Sequence, residues 1–114
     1  MTILNEVYTL LGFARKSGKL FAGESAVKAA VKNKNAKLVI LAEDLPEKRK
    51  IYWSNYLELS DIKVVNIGTK EDYGRVLGLS ERGLIAISDK KMAAAILEKI
   101  MRANKIEDKL NGGD

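Results

Sequence analysis

The sequence predicts an α/β protein, a three-layer α/β/α sandwich around a mixed sheet of about four strands. Three observations point there. Short β-rich apolar segments alternate along the chain with helical patterns, the order that places helices on both faces of a sheet. One of those segments, Leu38 to Ala42, is apolar without interruption, as a strand buried on both faces must be. The connections are short, with no internal repeat and no linker, so the 114 residues form one domain.

The elements follow in order. Ile3, Leu4, Val7, Leu10, Leu11 and Ala14 recur at helical spacing, with Thr2 placed to cap this first helix and Ser17-Gly18 placed to end it. Lys19 to Ala22 is a short strand. Gly23 and Glu24 open a second helix that runs to about Asn33 and turns Val27, Ala30 and Val31 inward. After the strand Leu38 to Ala42, Asp44 is set to cap a third helix that has Pro46 in its first turn. That helix ends near Leu59 and carries Ile51, Tyr52, Trp53, Tyr56 and Leu57. Lys63 to Ile67 reads as a strand, and Thr69 with Asp72 forms a capping box for a helix that stops at Gly78. A compact loop, Leu79 to Gly83, leads into the strand Leu84 to Ser88. The last helix starts at Asp89 and repeats Met92, Ala93, Ile96, Leu97, Ile100 and Met101 on one face. The domain is thus expected to span residues 1–103, with 104–114 a charged, disordered tail that ends Asn-Gly-Gly-Asp.

Composition removes several chemistries. There is no cysteine and no histidine, which excludes thiolate zinc sites, Cys nucleophiles and Ser-His triads. No catalytic residue, metal or cofactor is expected. The longest apolar run is far short of a membrane span and the first residues lack a signal-peptide pattern, so a cytoplasmic protein without a membrane partner is expected.

Charge is the strongest pointer to function. Arg15, Lys16, Lys19, Lys28, Lys32, Lys34 and Lys37 face a single acid, Glu24, between positions 15 and 37, whereas the rest of the chain is nearly neutral. Within that segment Glu24, Lys28 and Lys32 share one helical face. The first-turn N–H groups have no internal partner, so this helix start suits an anion or a polar base edge. Glu24 repels phosphate but accepts hydrogen bonds, as from a guanine N1–H or amine. The bland alternative is a solvated helix with one Glu–Lys pair, worth about 0.3 kcal/mol.

Other motifs weigh less. In the loop Leu79 to Gly83, an apolar Leu79 could cover an unstacked base and Arg82 could stack or bind phosphate. Equally, Leu79 could fold back on the core and leave Arg82 solvated. Glu43-Asp44 is a carboxylate pair after a buried strand, but helix capping explains Asp44 and no histidine can join it. Ser17-Gly18-Lys19 lacks the full phosphate-loop pattern. Tyr52, Trp53 and Tyr56 read as core and boundary residues rather than a stacking platform.

Three segments carry a family resemblance: Ala22-Gly-Glu-Ser-Ala-Val-Lys28, Asn35-Ala-Lys-Leu-Val-Ile-Leu-Ala-Glu-Asp44 and Tyr73-Gly-Arg-Val-Leu-Gly-Leu-Ser-Glu-Arg82. With them the chain resembles the ribosomal protein L7Ae and L30e superfamily, whose members bind kink-turn RNA. The opening Leu11-Gly-Phe-Ala-Arg-Lys-Ser-Gly-Lys19 is most similar to the small Gram-positive bacterial branch, often encoded beside transcription factor NusA and a translation initiation factor. The resemblance implies a non-enzymatic protein that recognises kink-turn-type structured RNA, ribosomal or other non-coding, as a monomer with possible ribosome association. It places Gly23, Glu24 and Ser25 at base edges with Lys28 and Lys32 following them, and the concentration of charge adds Lys19, Lys34 and Lys37 to Lys28 and Lys32 as phosphate contacts. Leu79, Ser80, Glu81 and Arg82 form the loop that covers an extruded nucleotide. The chain departs from the family's Asn-Glu-x-x-Lys element by having Glu24 and Ser25 before Lys28, and it carries an acid at Glu81. Those departures motivate an alternative: a ribosome- or transcription-associated protein adaptor that keeps the fold without specific RNA recognition.

Overall fold

The computed structural model describes the backbone of residues 3–112 and the side chains of residues 4–103. In chain order the elements are α1 (Ile3–Lys16), β1 (Leu20–Ala22), α2 (Glu24–Lys32), β2 (Leu38–Leu41) and α3 (Glu47–Tyr56), then β3 (Lys63–Asn66), α4 (Lys70–Leu77), β4 (Leu84–Ile87) and α5 (Lys90–Gly112). The strands form one mixed sheet in the order β1-β4-β2-β3. β4 is antiparallel to both its neighbours and β2 is parallel to β3.

Strand alternation sets the layers. Leu38 and Ile40 of β2, with Ile85 and Ile87 of β4, face a core built from Val7, Tyr8, Leu11 and Ala14 of α1, Tyr73 and Leu77 of α4, and Ala93, Ile96 and Ile100 of α5. Val39, Leu41, Leu84 and Ala86 face the other way, onto Val27 and Ala30 of α2, Trp53 of α3, and Leu57. All four residues of β2 and all four of β4 are buried, so the expectation of a strand covered on both faces holds, and β4 shares it. The three-layer α/β/α sandwich is the observed fold.

One local expectation is corrected. Asp44 does not cap α3, whose N-cap is Pro46 without a side-chain hydrogen bond. Its Oδ1 instead accepts from Lys70 N at 3.0 Å, which ties the loop after β2 to the first turn of α4. Asp44 precedes Pro46 by two positions, and the extended backbone at Pro46 (ψ 141) carries it past the helix start. The backbone of α5 is helical to Gly112. Ala103, Lys105, Ile106, Glu107, Lys109 and Leu110 are adequate helix formers, and the first strong breakers are Gly112 and Gly113. The proposed cap Thr2 lies outside the described residues.

Thr69 caps α4, its Oγ1 accepting from Asp72 N at 3.1 Å, and Gly78 closes the helix in the left-handed conformation (φ 70). Asp72 also receives a bond from across the domain, as Tyr8 Oη donates to its Oδ2 at 2.9 Å. Burial first, and then that bond, push the Tyr8 hydroxyl up to about 12. The same bond, ahead of Arg75, holds the Asp72 carboxyl below the usual carboxylate range.

Because the Asp72 carboxyl is depressed on folding, its contribution to stability is complete above its unfolded value and is lost as pH falls through the folded one. Tyr8→Phe should cost about 1 kcal/mol in urea denaturation at neutral pH. The variant should also lose less stability than the parent on acidification through that range.

Candidate functional site

β1 and β2 both run opposite to β4, and β3 runs with β2, so β1, β2 and β3 share one direction. Their C-terminal ends and the start of β4 make one end of the sheet; their N-terminal ends and the finish of β4 make the other. The start of α2 belongs to the first end. There Gly23 takes φ 98, a conformation that only glycine adopts without strain, and its N–H donates to Leu84 O at 2.8 Å. No side chain caps α2.

The loop 78–83 is folded against that point. Leu79 N donates to Gly74 O at 2.8 Å, Arg82 N to Lys70 O at 3.3 Å, and Ala42 N to Gly83 O at 2.9 Å. Gly74 makes this return possible, since a Cβ there would stand 2.8 Å from the Ser80 carbonyl oxygen. Leu79 is half-buried on the core shared by α1, α4 and α5, while Ser80 and Glu81 are exposed. The Arg82 guanidinium is held by its own loop: Nη1 donates to Ser80 O at 3.1 Å, Ser80 Oγ at 2.5 Å and Glu81 O at 3.0 Å. Its Nε lies 3.5 Å from where a Cβ of Gly23 would be. Thus the loop and the helix start, far apart in sequence, meet at Gly23 and Arg82.

The α2 side chains are engaged by α3. Glu24 is paired with Arg49 and accepts from Trp53 Nε1 at 3.3 Å. Both contacts use Oε1, which leaves Oε2 as an acceptor, and the Glu24 side chain is 44% exposed. Lys28 Nζ donates to Tyr52 Oη at 2.7 Å and lies 5.2 Å and 5.7 Å from the ring centres of Tyr52 and Tyr56. That bond, ahead of every other influence, holds the Lys28 ammonium above its ordinary range and the Tyr52 hydroxyl below its own. The Arg49 guanidinium lies 4.6 Å from the Tyr52 ring centre, and the Tyr52 and Tyr56 rings stack at 5.8 Å. Trp53 is fully buried, Tyr52 half-buried and Tyr56 exposed, so the core-and-boundary reading of these three matches their burial.

Sequence reasoning missed Arg49, Tyr52 and Trp53 as partners of Glu24 and Lys28. The available signal was their helical spacing on an element that directly follows the strand beside α2. Ser25 and Lys32 are exposed on α2, Lys32 about 12 Å along the axis from Glu24. Lys19, Lys34 and Lys37 are not brought to this site. They lie at the opposite end of the sheet, where β1 and β2 begin.

The model of the ribosomal protein L7Ae/L30e/S12e/Gadd45 family matches residues 5–98. The chain belongs to this family. The match runs from α1 into the first part of α5, and so takes in both the start of α2 and the loop at Arg82. Among relatives, the RNA-binding protein YlxQ of Bacillus subtilis is 26% identical over 92 residues, covering 81% of this chain and 92% of that protein. A protein of unknown function from Bacillus halodurans has a structure superposable at TM-score 0.78 with 30% identity, covering 82% of this chain and 95% of that one. The Giardia lamblia 15.5kD RNA binding protein superposes at TM-score 0.73 with 20% identity, covering 90% and 88%, a likeness of fold.

Two variants probe this L7Ae-family site. Glu24→Ala leaves the buried Trp53 Nε1–H without its acceptor and should cost about 1–3 kcal/mol in denaturant unfolding, with a shifted emission from this single tryptophan. Gly74→Ala should displace the loop 79–82 and lower stability by about 1–3 kcal/mol, read in the same assay.

Proposed function

We propose that the chain is a non-enzymatic RNA-binding protein that recognises kink-turn-type structured RNA, ribosomal or other non-coding. The observation that carries this reading is the meeting of Gly23 and Arg82. The two segments that the family resemblance assigns to RNA, distant in sequence, form one continuous surface at one end of the sheet. Membership of a ribosomal-protein family and the RNA-binding names of two relatives support it.

The chemistry distributes as follows. The bare backbone at Gly23 admits a close approach to the start of α2. Glu24 Oε2 accepts from a guanine N1–H or amine, while Arg49 at Oε1 offsets the repulsion between the carboxylate and nearby phosphates. Lys28 keeps two N–H donors after serving Tyr52. Arg82, fixed through Nη1, presents the rest of its guanidinium beside Gly23, and Leu79 provides an apolar wall under the loop. RNA shape supplies most of the discrimination, because a kink opens a groove wide enough for α2.

A titration against a kink-turn duplex tests this, with a control whose tandem G·A pairs are converted to Watson–Crick pairs. The control should bind at least tenfold more weakly (about 1.4 kcal/mol). Lys28→Ala should weaken the kink-turn complex about tenfold and the control little. Equal and steeply salt-dependent binding of both duplexes would sink the reading and favour the protein-adaptor alternative.

A further inference from the structure

The end of the sheet opposite Gly23 carries more positive charge than the whole molecule. Arg15, Lys16 and Lys19 flank the turn from α1 to β1, and Lys32, Lys34 and Lys37 flank the turn from α2 to β2. Lys63 begins β3, and Lys90 and Lys91 begin α5. Against these nine cations stand Glu58, Asp61 and Asp89, a formal +6 in a chain whose total is +5. Asp89 is already engaged, accepting from Met92 N at 2.9 Å.

All nine cations are exposed. Among the described residues the ion pairs are Arg49–Glu24, Lys50–Glu47, Arg75–Asp72 and Lys99–Glu6, and none draws on this end. Favourable helix dipoles account for Arg15, Lys16 and Lys32, which lie in the last turns of α1 and α2. They do not account for Lys19, Lys34, Lys37 or Lys63, or for Lys90 and Lys91 at the positive end of α5. Unpaired like charges gathered this closely repel one another and lower stability. Three of them, Lys37, Lys63 and Lys90, surround a shallow hollow floored by Ala93, Ala94 and Leu97.

We infer that this lysine end is a second RNA contact, which grips the phosphate backbone of a neighbouring helix while the Gly23 end reads the structured element. Eight of the nine cations are lysines, point charges suited to phosphate rather than to the bidentate reading of base edges. Lys19, just before the edge strand β1, and Lys63, at the start of the edge strand β3, are about three strand spacings apart, roughly 14 Å, wide enough for several phosphates. The protein then holds two RNA segments at once, at opposite ends of one sheet. This rests on the RNA reading proposed above, but its test is separate.

The full chain and a triple variant, Lys37→Glu with Lys63→Glu and Lys90→Glu, are compared for capture of a labelled plain RNA duplex by protein already saturated with kink-turn RNA. The parent should capture the duplex, and the variant should do so at least tenfold more weakly, with the salt slope reduced by about 3. Kink-turn affinity should stay within twofold, and the melting temperature should hold or rise as repulsion is relieved. Undiminished capture by the variant overturns the inference. So does an equal loss of both RNAs, or tighter uptake of this end by anionic lipid vesicles than by the duplex. If the parent does not discriminate the kink-turn at all, the proposed function falls alone, because loss of plain-duplex capture by free variant protein still supports the second surface.

Discussion

The pairing of β2 with β4 is the constraint on which the rest depends. Leu38, Val39, Ile40 and Leu41 lie opposite Ile87, Ala86, Ile85 and Leu84, and all eight are buried between two layers of helices. Each of the larger side chains contributes about 1.5–3 kcal/mol through burial. The backbone of this pair also anchors what surrounds it. Leu84 O receives Gly23 N and Gly83 O receives Ala42 N at one end, while Ile87 O receives Lys37 N at the other. Both the start of α2 and the lysine turn before β2 are therefore positioned by the same strand.

The second organising contact is the lock between α2 and α3. Glu24 and Lys28 would be mobile on an isolated helix. Here Arg49, Trp53 and Tyr52 hold them, and each retains capacity for a ligand through Oε2 or the remaining ammonium N–H groups. Side chains fixed in advance lose less freedom on binding, so such a lock favours affinity as well as stability. It also sets the charge of Glu24 against the Arg49 guanidinium.

The sheet and its layers were legible because local signals agree. Leu38 to Leu41 reads as a buried strand and is one, and Thr69 reads as the cap of the helix after β3 and is one. What escaped the sequence depends on contacts between distant segments. Asp44 has the right chemistry for a cap, but the helix that it serves starts 26 positions later. The partners of Glu24 and Lys28 lie on α3, and nothing in the spacing of α2 names them. The run of charge from Arg15 to Lys37 looks like one patch in one dimension, yet the direction of β1 and β2 sends Lys19, Lys34 and Lys37 to one end and Gly23 to the other. The pairing of Gly23 with Arg82 follows from β4 lying between β1 and β2, an order that periodicity does not encode.

That strand order has a consequence for how the chain comes to be. β4 follows the other three strands in sequence, yet it sits inside the sheet, and among the described residues β1 has no other strand partner. Leu20 must wait for Ile87, and Gly23 for Leu84. A nascent or truncated chain that stops before β4 can pair β2 with β3, but it has neither a seat for β1 nor the carbonyl that orients the start of α2. The surface at Gly23 therefore forms only once β4 is in place, so a copy that stops before β4 cannot present it.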